Sequence, residues 1–212
     1  MSKRLLITID GPSASGKGTI AKKVADHFKL PYLNSGALYR GLAYVALMQN
    51  LNLEKQVEKI VLLVNEIDLN NLEDKKLHTE EMGKHASIIA KQPLIRKALF
   101  DLQRHFAVHG LRDRDGAVLE GRDMGTVICP DANYKFFITA SAEERAKRRH
   151  KQLQENGINS DYQTILNQLE NRDKEDKNRA ASPLVKAMDA VEIDTSNMNV
   201  EQVFTKLLNY IK

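Results

Sequence analysis

Four apolar runs read as buried strands, Leu5 to Asp10, Ala117 to Glu120, Lys135 to Thr139 and Ala190 to Asp194, with a shorter candidate at Tyr32 to Leu33. Helical patterns separate them. After the first run Ile20, Val24, Ala25 and Phe28 recur at helix spacing, and a helix is predicted from about Pro93 to Val108 with Leu94, Ile95, Ala98, Leu99, Leu102 and Phe106 on one stripe. Pro93 suits its first turn. Strands alternating with helices imply an α/β chain of three layers, a parallel five-stranded sheet flanked by helices. In such folds ligands bind beyond the carboxyl ends of the strands, which here fall at Asp10, at Leu33 before Asn34 and Ser35, at Glu120, and at Asp194 before Thr195 and Ser196. The polar, poorly periodic stretch from Asp68 to His78 predicts a surface loop or the remnant of an insert.

The first strand end carries the clearest chemistry. Gly11, Pro12, Ser13, Ala14, Ser15, Gly16, Lys17, Gly18 and Thr19 form a glycine-rich loop between a strand and a helix, the context of a polyphosphate site. The glycines let the backbone turn with its N–H groups inward, Lys17 supplies a point charge for β- and γ-phosphates, and the helix starting near Gly16 aims its positive end at them. In the general pattern a Ser or Thr hydroxyl after the lysine holds Mg²⁺. Gly18 stands there instead, so the metal is expected to be held mainly by phosphate oxygens and water, with no protein side chain as its ligand. The Gly-Lys-Gly-Thr ending resembles that of nucleoside monophosphate kinases more than that of GTPases or motor ATPases.

Composition narrows the setting. The chain has 212 residues, 42% of them hydrophobic, which suits one well-packed domain. Lys plus Arg number 32 against 28 Asp plus Glu, and a net charge of +4 fits clefts for anionic nucleotides as easily as a nucleic-acid surface. With the single cysteine Cys129 in an apolar stretch, no intramolecular disulfide is possible and a buried, inert thiol in a reducing compartment is expected. No apolar stretch has the length of a signal core or a membrane span, so the expected location is cytoplasmic, away from membranes.

Three further constellations lie near strand ends or on helices. Asn34 to Arg40 opens a helix that Ser35 can cap, with Arg40 facing the same region; it reads equally as a phosphate fork or as a solvated arginine. Glu120 to Thr126 places two acids and Arg122 at a strand end, with Glu120 where a phosphate-loop protein keeps an acid near the Mg²⁺ water shell. Arg145 to Arg149 and Asn171 to Arg179 are the densest charge clusters. Arg172, Asp176 and Arg179 fall on one helix face, which suits either a solvated surface or an anion site. Between these clusters Lys151 to Tyr162 reads as a flexible connection, and two arginine-bearing helices joined by a mobile turn would make a lid over phosphates.

Taken in order, the loop at 11–19, Asn34 to Arg40, Gly121 to Thr126, and Arg172 to Arg179 followed by Ala-Ala-Ser-Pro-Leu resemble the cytidylate kinases of the bacterial type, from about Leu6 to the C-terminal helix. The resemblance implies a phosphate-loop NTPase fold in a single domain. Its core would span about 1–33, 112–145 and 180–212, its nucleoside-monophosphate-binding region about 34–111, and its mobile lid about 146–179. It implies transfer of the ATP γ-phosphoryl group, with Mg²⁺, to CMP and to dCMP. Ser87, Arg96 and Asp123 would bind cytosine and Asp176 the ribose, while Arg40, Arg122, Arg172 and Arg179 gather around phosphates and Ser35 and Tyr39 line the acceptor site. Lys17, Arg122, Arg148, Arg149 and Arg179 would neutralise the charge of transfer, and adenine would lie near Thr195 to Asn199. Read without the family, Ser87 and Arg96 are helix-surface residues. The chain departs from the family in keeping only the polar stretch Asn70 to Lys76 where members carry a longer insert with a small sheet. A monomer without nucleic-acid partners is expected; the rivals are a kinase for another acceptor, such as UMP, AMP or a hydroxy acid, and a nucleotide-dependent switch or nucleic-acid-binding ATPase, which the Gly-Lys-Gly-Thr ending and an aromatic content of 6% disfavour.

Overall fold

Strand β1 (Leu5–Asp10) lies at the centre of an all-parallel sheet of order β2-β3-β1-β4-β5, with β2 at Tyr32–Asn34, β3 at Gly116–Gly121, β4 at Tyr134–Thr139 and β5 at Val191–Asp194. The structure, a computed structural model, describes residues 4–110, 116–155 and 157–211. Alternation along the strands splits one apolar run between two cores. Ile7, Ile9, Val118, Phe136, Ile138 and Ile193 meet α1 (Lys17–Phe28) and α8 (Val200–Leu208) through Ile20, Val24, Val203 and Leu207. Leu6, Leu33, Ala117 and Leu119 face the other way, towards α2 (Ser35–Met48), α4 (Glu80–Ala90) and α5 (Pro93–His109). Burying each such side chain contributes about 1.5–3 kcal/mol, and the two covered faces account for strands without polar alternation. The short α3 (Val57–Leu62) rests on α5. Cys129 is buried, and burial pushes its thiol up to about 11, as expected of an inert cysteine.

Three local expectations change. On α5 the buried stripe is Ile95, Leu99, Gln103, Phe106 and Ala107, whereas Leu94 is half exposed; the stripe is rotated by one position and admits a glutamine. The segment expected as a loop from Asp68 to His78 winds through 3₁₀ turns at Leu69–Asn71 and Lys75–His78, started by the Asp68 and Asp74 carboxylates, which accept from Asn70 N and Lys76 N. Leu72 and Leu77 are buried, and Leu72 lies with Ile67 against Gly41 of α2, so the polar sequence hides leucine anchors at a spacing that neither helix nor strand periodicity reveals. Helix α6 (Ala142–Glu155) runs through Lys151, the expected start of the connection, because Lys, Gln, Leu, Gln and Glu all favour helix. α6 packs on α7 (Tyr162–Asn178) through Ala146, Leu153, Ile165 and Leu169. Position 156 and the expected boundary at 112 lie outside the described residues. Among the described residues no helix is long and apolar enough to cross a membrane.

Candidate active site

The parallel register brings Asp10 opposite Gly121, and Asn34 opposite Glu120, so three strand ends meet at one edge. From Asp10 the chain turns through the glycine-rich loop, where Gly16, with φ +86°, sits left-handed as the N-cap of α1 and Lys17 is the first helical residue. The Lys17 ammonium donates to the Pro12 carbonyl at 3.1 Å. Burial, and then the charges of Arg122 and Arg172, push its pKa down to about 7 against the opposing pull of Glu120 and Asp176. Gly18 has a steric reason: a Cβ there would lie 3.1 and 3.2 Å from the two Glu120 carboxylate oxygens. The carboxylate thus occupies the ground next to the position where other phosphate loops carry a hydroxyl. Tyr32 O–H donates to Glu120 Oε1 at 2.9 Å, while Oε2 is buried without a hydrogen-bond partner. The half-buried Tyr32 phenol is held far above its ordinary range by desolvation and by that carboxylate.

Cations crowd this edge. Arg122 Nε donates to Asp176 Oδ2 at 2.8 Å, and Arg179 Nη1 lies 3.9 Å from Asp176 Oδ1. Burial alone would raise Asp176, yet Arg122, Arg172 and Arg179 together hold it below the ordinary carboxylate range. Arg172 is lowered to about 10 by burial and by Arg122 and Arg40, and Arg40 is lowered by burial, Arg122 and Arg149. Burial is the larger cause of both arginine shifts, and the neighbouring guanidinium groups add to it. Arg172 and Asp176 share a face of α7 as expected, but α7 ends at Asn178 and Arg179 is its extended C-cap, tied through its guanidinium to the Ala181 and Ser182 carbonyls. Arg148 and Arg149 diverge, as neighbours on a helix must. Arg148 donates to Thr195 Oγ1 at 3.0 Å, to the Thr195 carbonyl at 2.5 Å and to the Ser15 carbonyl at 3.4 Å, whereas Arg149 bonds Gln152 and acts on Arg40.

A buried ion pair lies two residues beyond the end of β3. Arg96 of α5 and Asp123 form an ion pair with side chains 10% and 5% exposed, and the Arg96 guanidinium lies over the Tyr39 ring, 5.8 Å from its centre. Asp10 fixes the Asp123 loop by accepting from Met124 N at 2.9 Å and Gly125 N at 2.7 Å; burial pushes its carboxyl up to about 7 despite those bonds. Helix α2 is capped by Asn34, which accepts from Ala37 N at 3.0 Å, and not by Ser35. The Ser35 hydroxyl donates instead to Gln103 Oε1. The Ser87 hydroxyl donates to the Gly83 carbonyl one turn back, so the structure does not join it to Arg96 or Asp123. Arg145, from the first of the two charge clusters, is 3% exposed: it grips Asp173 of α7 and donates to the Ser13 and Ala140 carbonyls, locking the two-helix unit to the phosphate loop.

The sequence model of the cytidylate kinase family matches residues 7–212. The chain belongs to the cytidylate kinase family. A cytidylate kinase of Bartonella tribocorum is 44% identical over 209 residues, 99% of this chain and 95% of the relative, and one of Azorhizobium caulinodans is 42% identical over 98% of each. Among solved structures, an uncharacterized protein of Eubacterium ventriosum aligns with a TM-score of 0.58 at 18% identity over 98% of both chains, and a gluconokinase of Sinorhizobium meliloti with 0.51 at 13% over 99% of this chain and 92% of that one. These likenesses carry the fold alone. Membership in the family makes the chain a nucleoside monophosphate kinase with ATP as a substrate. Sequence reading did not single out Asp10, Tyr32, Gln103 or Arg145 as site residues. A strand-end acid, a tyrosine two residues before a strand end and a glutamine in an apolar helical stripe were the available signals.

Proposed function

We propose that this chain transfers the γ-phosphoryl group of ATP to CMP, and also to dCMP, giving ADP and CDP or dCDP in pyrimidine nucleotide metabolism of the cytoplasm. The observation that carries this reading is the buried Arg96–Asp123 pair beside Tyr39, whose Asp123 directly follows Arg122 of the cation row around Lys17. Cytosine offers an amine donor at N4 and acceptors at N3 and O2, which a carboxylate and a guanidinium complement. Ser87 completes this set once its hydroxyl leaves the Gly83 carbonyl. The loop from Gly11 to Thr19 holds the ATP phosphates, Arg40, Arg122, Arg172 and Arg179 hold the acceptor phosphate, and Asp176 holds the ribose. Ser35 and Tyr39 line the sugar and base. The reaction needs no strong base: an anionic oxygen of the CMP phosphate forms the new P–O bond while the β–γ bridging bond of ATP breaks and its electron pair leaves with ADP. Lys17, Arg122, Arg149 and Arg179 neutralise that charge, and Arg148 belongs to the ATP side, next to Thr195. The pieces 146–179 and 34–111 act as lid and acceptor region on the core, in a monomer that binds no nucleic acid. The buried, unpartnered Glu120 Oε2 fits a Mg²⁺ water shell beside the phosphates. When bound, the metal supplies further neutralisation of phosphate charge.

ADP release measured with ATP and Mg²⁺ and with CMP, dCMP, UMP, AMP or shikimate as acceptor tests this. Turnover with CMP and dCMP well above the rest is expected, and equal turnover with UMP overturns the role of Arg96 and Asp123. Proton linkage gives a second check. Lys17 titrates near 7 in the free protein, and the phosphates of ATP move it back towards its ordinary range, so above pH 7 binding takes up a proton and weakens as pH rises. Calorimetry at pH 8 in two buffers of different ionisation enthalpy is expected to show that uptake; proton release contradicts it.

A further inference from the structure

Gln103 holds a core position on α5, 1% exposed, between the turns that bury Leu99 and Phe106. An apolar side chain there would pack without obligation, whereas a buried amide must find partners for both of its ends. It does. Nε2 donates to the Leu99 carbonyl oxygen at 2.9 Å, and Oε1 accepts from the Ser35 hydroxyl at 3.0 Å. A backbone carbonyl can only accept, so the bond to Leu99 fixes which end of the amide carries the N–H groups and leaves Oε1 towards Ser35. Oε1 in turn can only accept, so Ser35 gives its one proton to Gln103. Lone pairs are all that Ser35, itself 4% exposed and packed by its Cβ near Gly121, has left for a ligand.

We propose that Gln103 is a positioning residue that makes Ser35 a hydrogen-bond acceptor only, so that the group of CMP meeting Ser35 is a donor, a sugar hydroxyl or the N4 amine, and not a phosphate oxygen or the cytosine O2. The inference rests on the reading of Ser35 as a CMP contact. A serine without this partner rotates freely and offers either polarity; the relay from the Leu99 carbonyl selects one. CMP dissociation constants by calorimetry test it on the whole chain. Ser35→Ala and Gln103→Leu are each expected to weaken CMP about tenfold, the loss of one hydrogen bond, and Gln103→Leu is expected to leave the ATP KM unchanged. The double variant is expected to be no weaker than either single one. Gln103→Glu supplies a readout that loss of packing would not move: its protonated carboxyl rebuilds both bonds, and its carboxylate repels the Leu99 carbonyl. Relative to the parent at each pH, its CMP affinity is therefore expected to be near parental at pH 5.5 and about tenfold weaker at pH 8.5. A Gln103→Leu protein that binds CMP as the parent does, single losses that multiply, or a pH-independent Gln103→Glu overturns the relay. Failure of the parent to phosphorylate a CMP that it still binds would sink the kinase reading alone.

Discussion

Replacing Lys17 by Met will lower kcat about 10³-fold, the range seen when one preorganised donor to a developing charge is removed, and will leave the nucleotide-free protein at least as stable as the parent. The two halves of that expectation have one cause. Burial and the charges of Arg122 and Arg172 disfavour the ammonium in the free protein, so its pKa falls to about 7. A lysine lowered in this way works against folding wherever the unfolded chain would keep the proton: below pH 7 both states are protonated and the penalty is complete, and from 7 towards 10.5 the folded chain releases its proton first and stability rises. Methionine removes the penalty and keeps the length. The same uncompensated charge is what meets the phosphates during transfer, where neither Pro12 nor solvent replaces it. Single-turnover rates with saturating ATP and CMP, together with thermal unfolding without nucleotide, check both halves. Near-parental turnover in a folded Lys17→Met protein would remove Lys17 from the reaction.

Much of this site is written in local sequence. The glycine-rich loop, the acid near the end of β3 and the run from Arg172 to Arg179 announce themselves because the parts of each lie within ten residues, and strand–loop–helix order fixes where they sit. Pairing across the fold is less legible. Asp10 and the amides of Met124 and Gly125 are joined by sheet register between β1 and β3, and Tyr32 reaches Glu120 because β2 lies next to β3. Charge clusters mislead in a particular way: Arg145 to Arg149 reads as one basic patch, yet helix geometry sends Arg145 inward to Asp173, Arg148 to Thr195 and Arg149 towards Arg40. The 3₁₀ segment escaped for a different reason, since turns capped by Asp68 and Asp74 have neither of the periods that a helix or strand shows.

Asp123→Asn is expected to lower kcat/KM for CMP by about 10²-fold or more and to shrink the preference for CMP over UMP, while the ATP KM stays constant. The carboxylate offers only acceptors, which suits the N4 amine of cytosine and repels the O4 of uracil; an amide offers one end of each kind and turns to suit either base. The same substitution strips Arg96 of its partner at a side chain only 10% exposed, and breaking a buried pair by removing one member costs roughly 3–5 kcal/mol. A fall in activity from Asp123→Asn alone would therefore mix recognition with folding. The pair can be separated from the fold by exchanging both members, Arg96→Met with Asp123→Leu, because apolar side chains of similar volume commonly replace a buried ion pair without loss of stability. Thermal unfolding of that double variant is expected near the parent and its CMP turnover near background, with ATP binding kept. If it instead phosphorylates CMP, the pair serves α5 packing and cytosine is read elsewhere. If it binds neither nucleotide, Arg96 and Asp123 hold the junction between α5 and the loop that Asp10 fixes, and the ATP and CMP sites depend on that one junction.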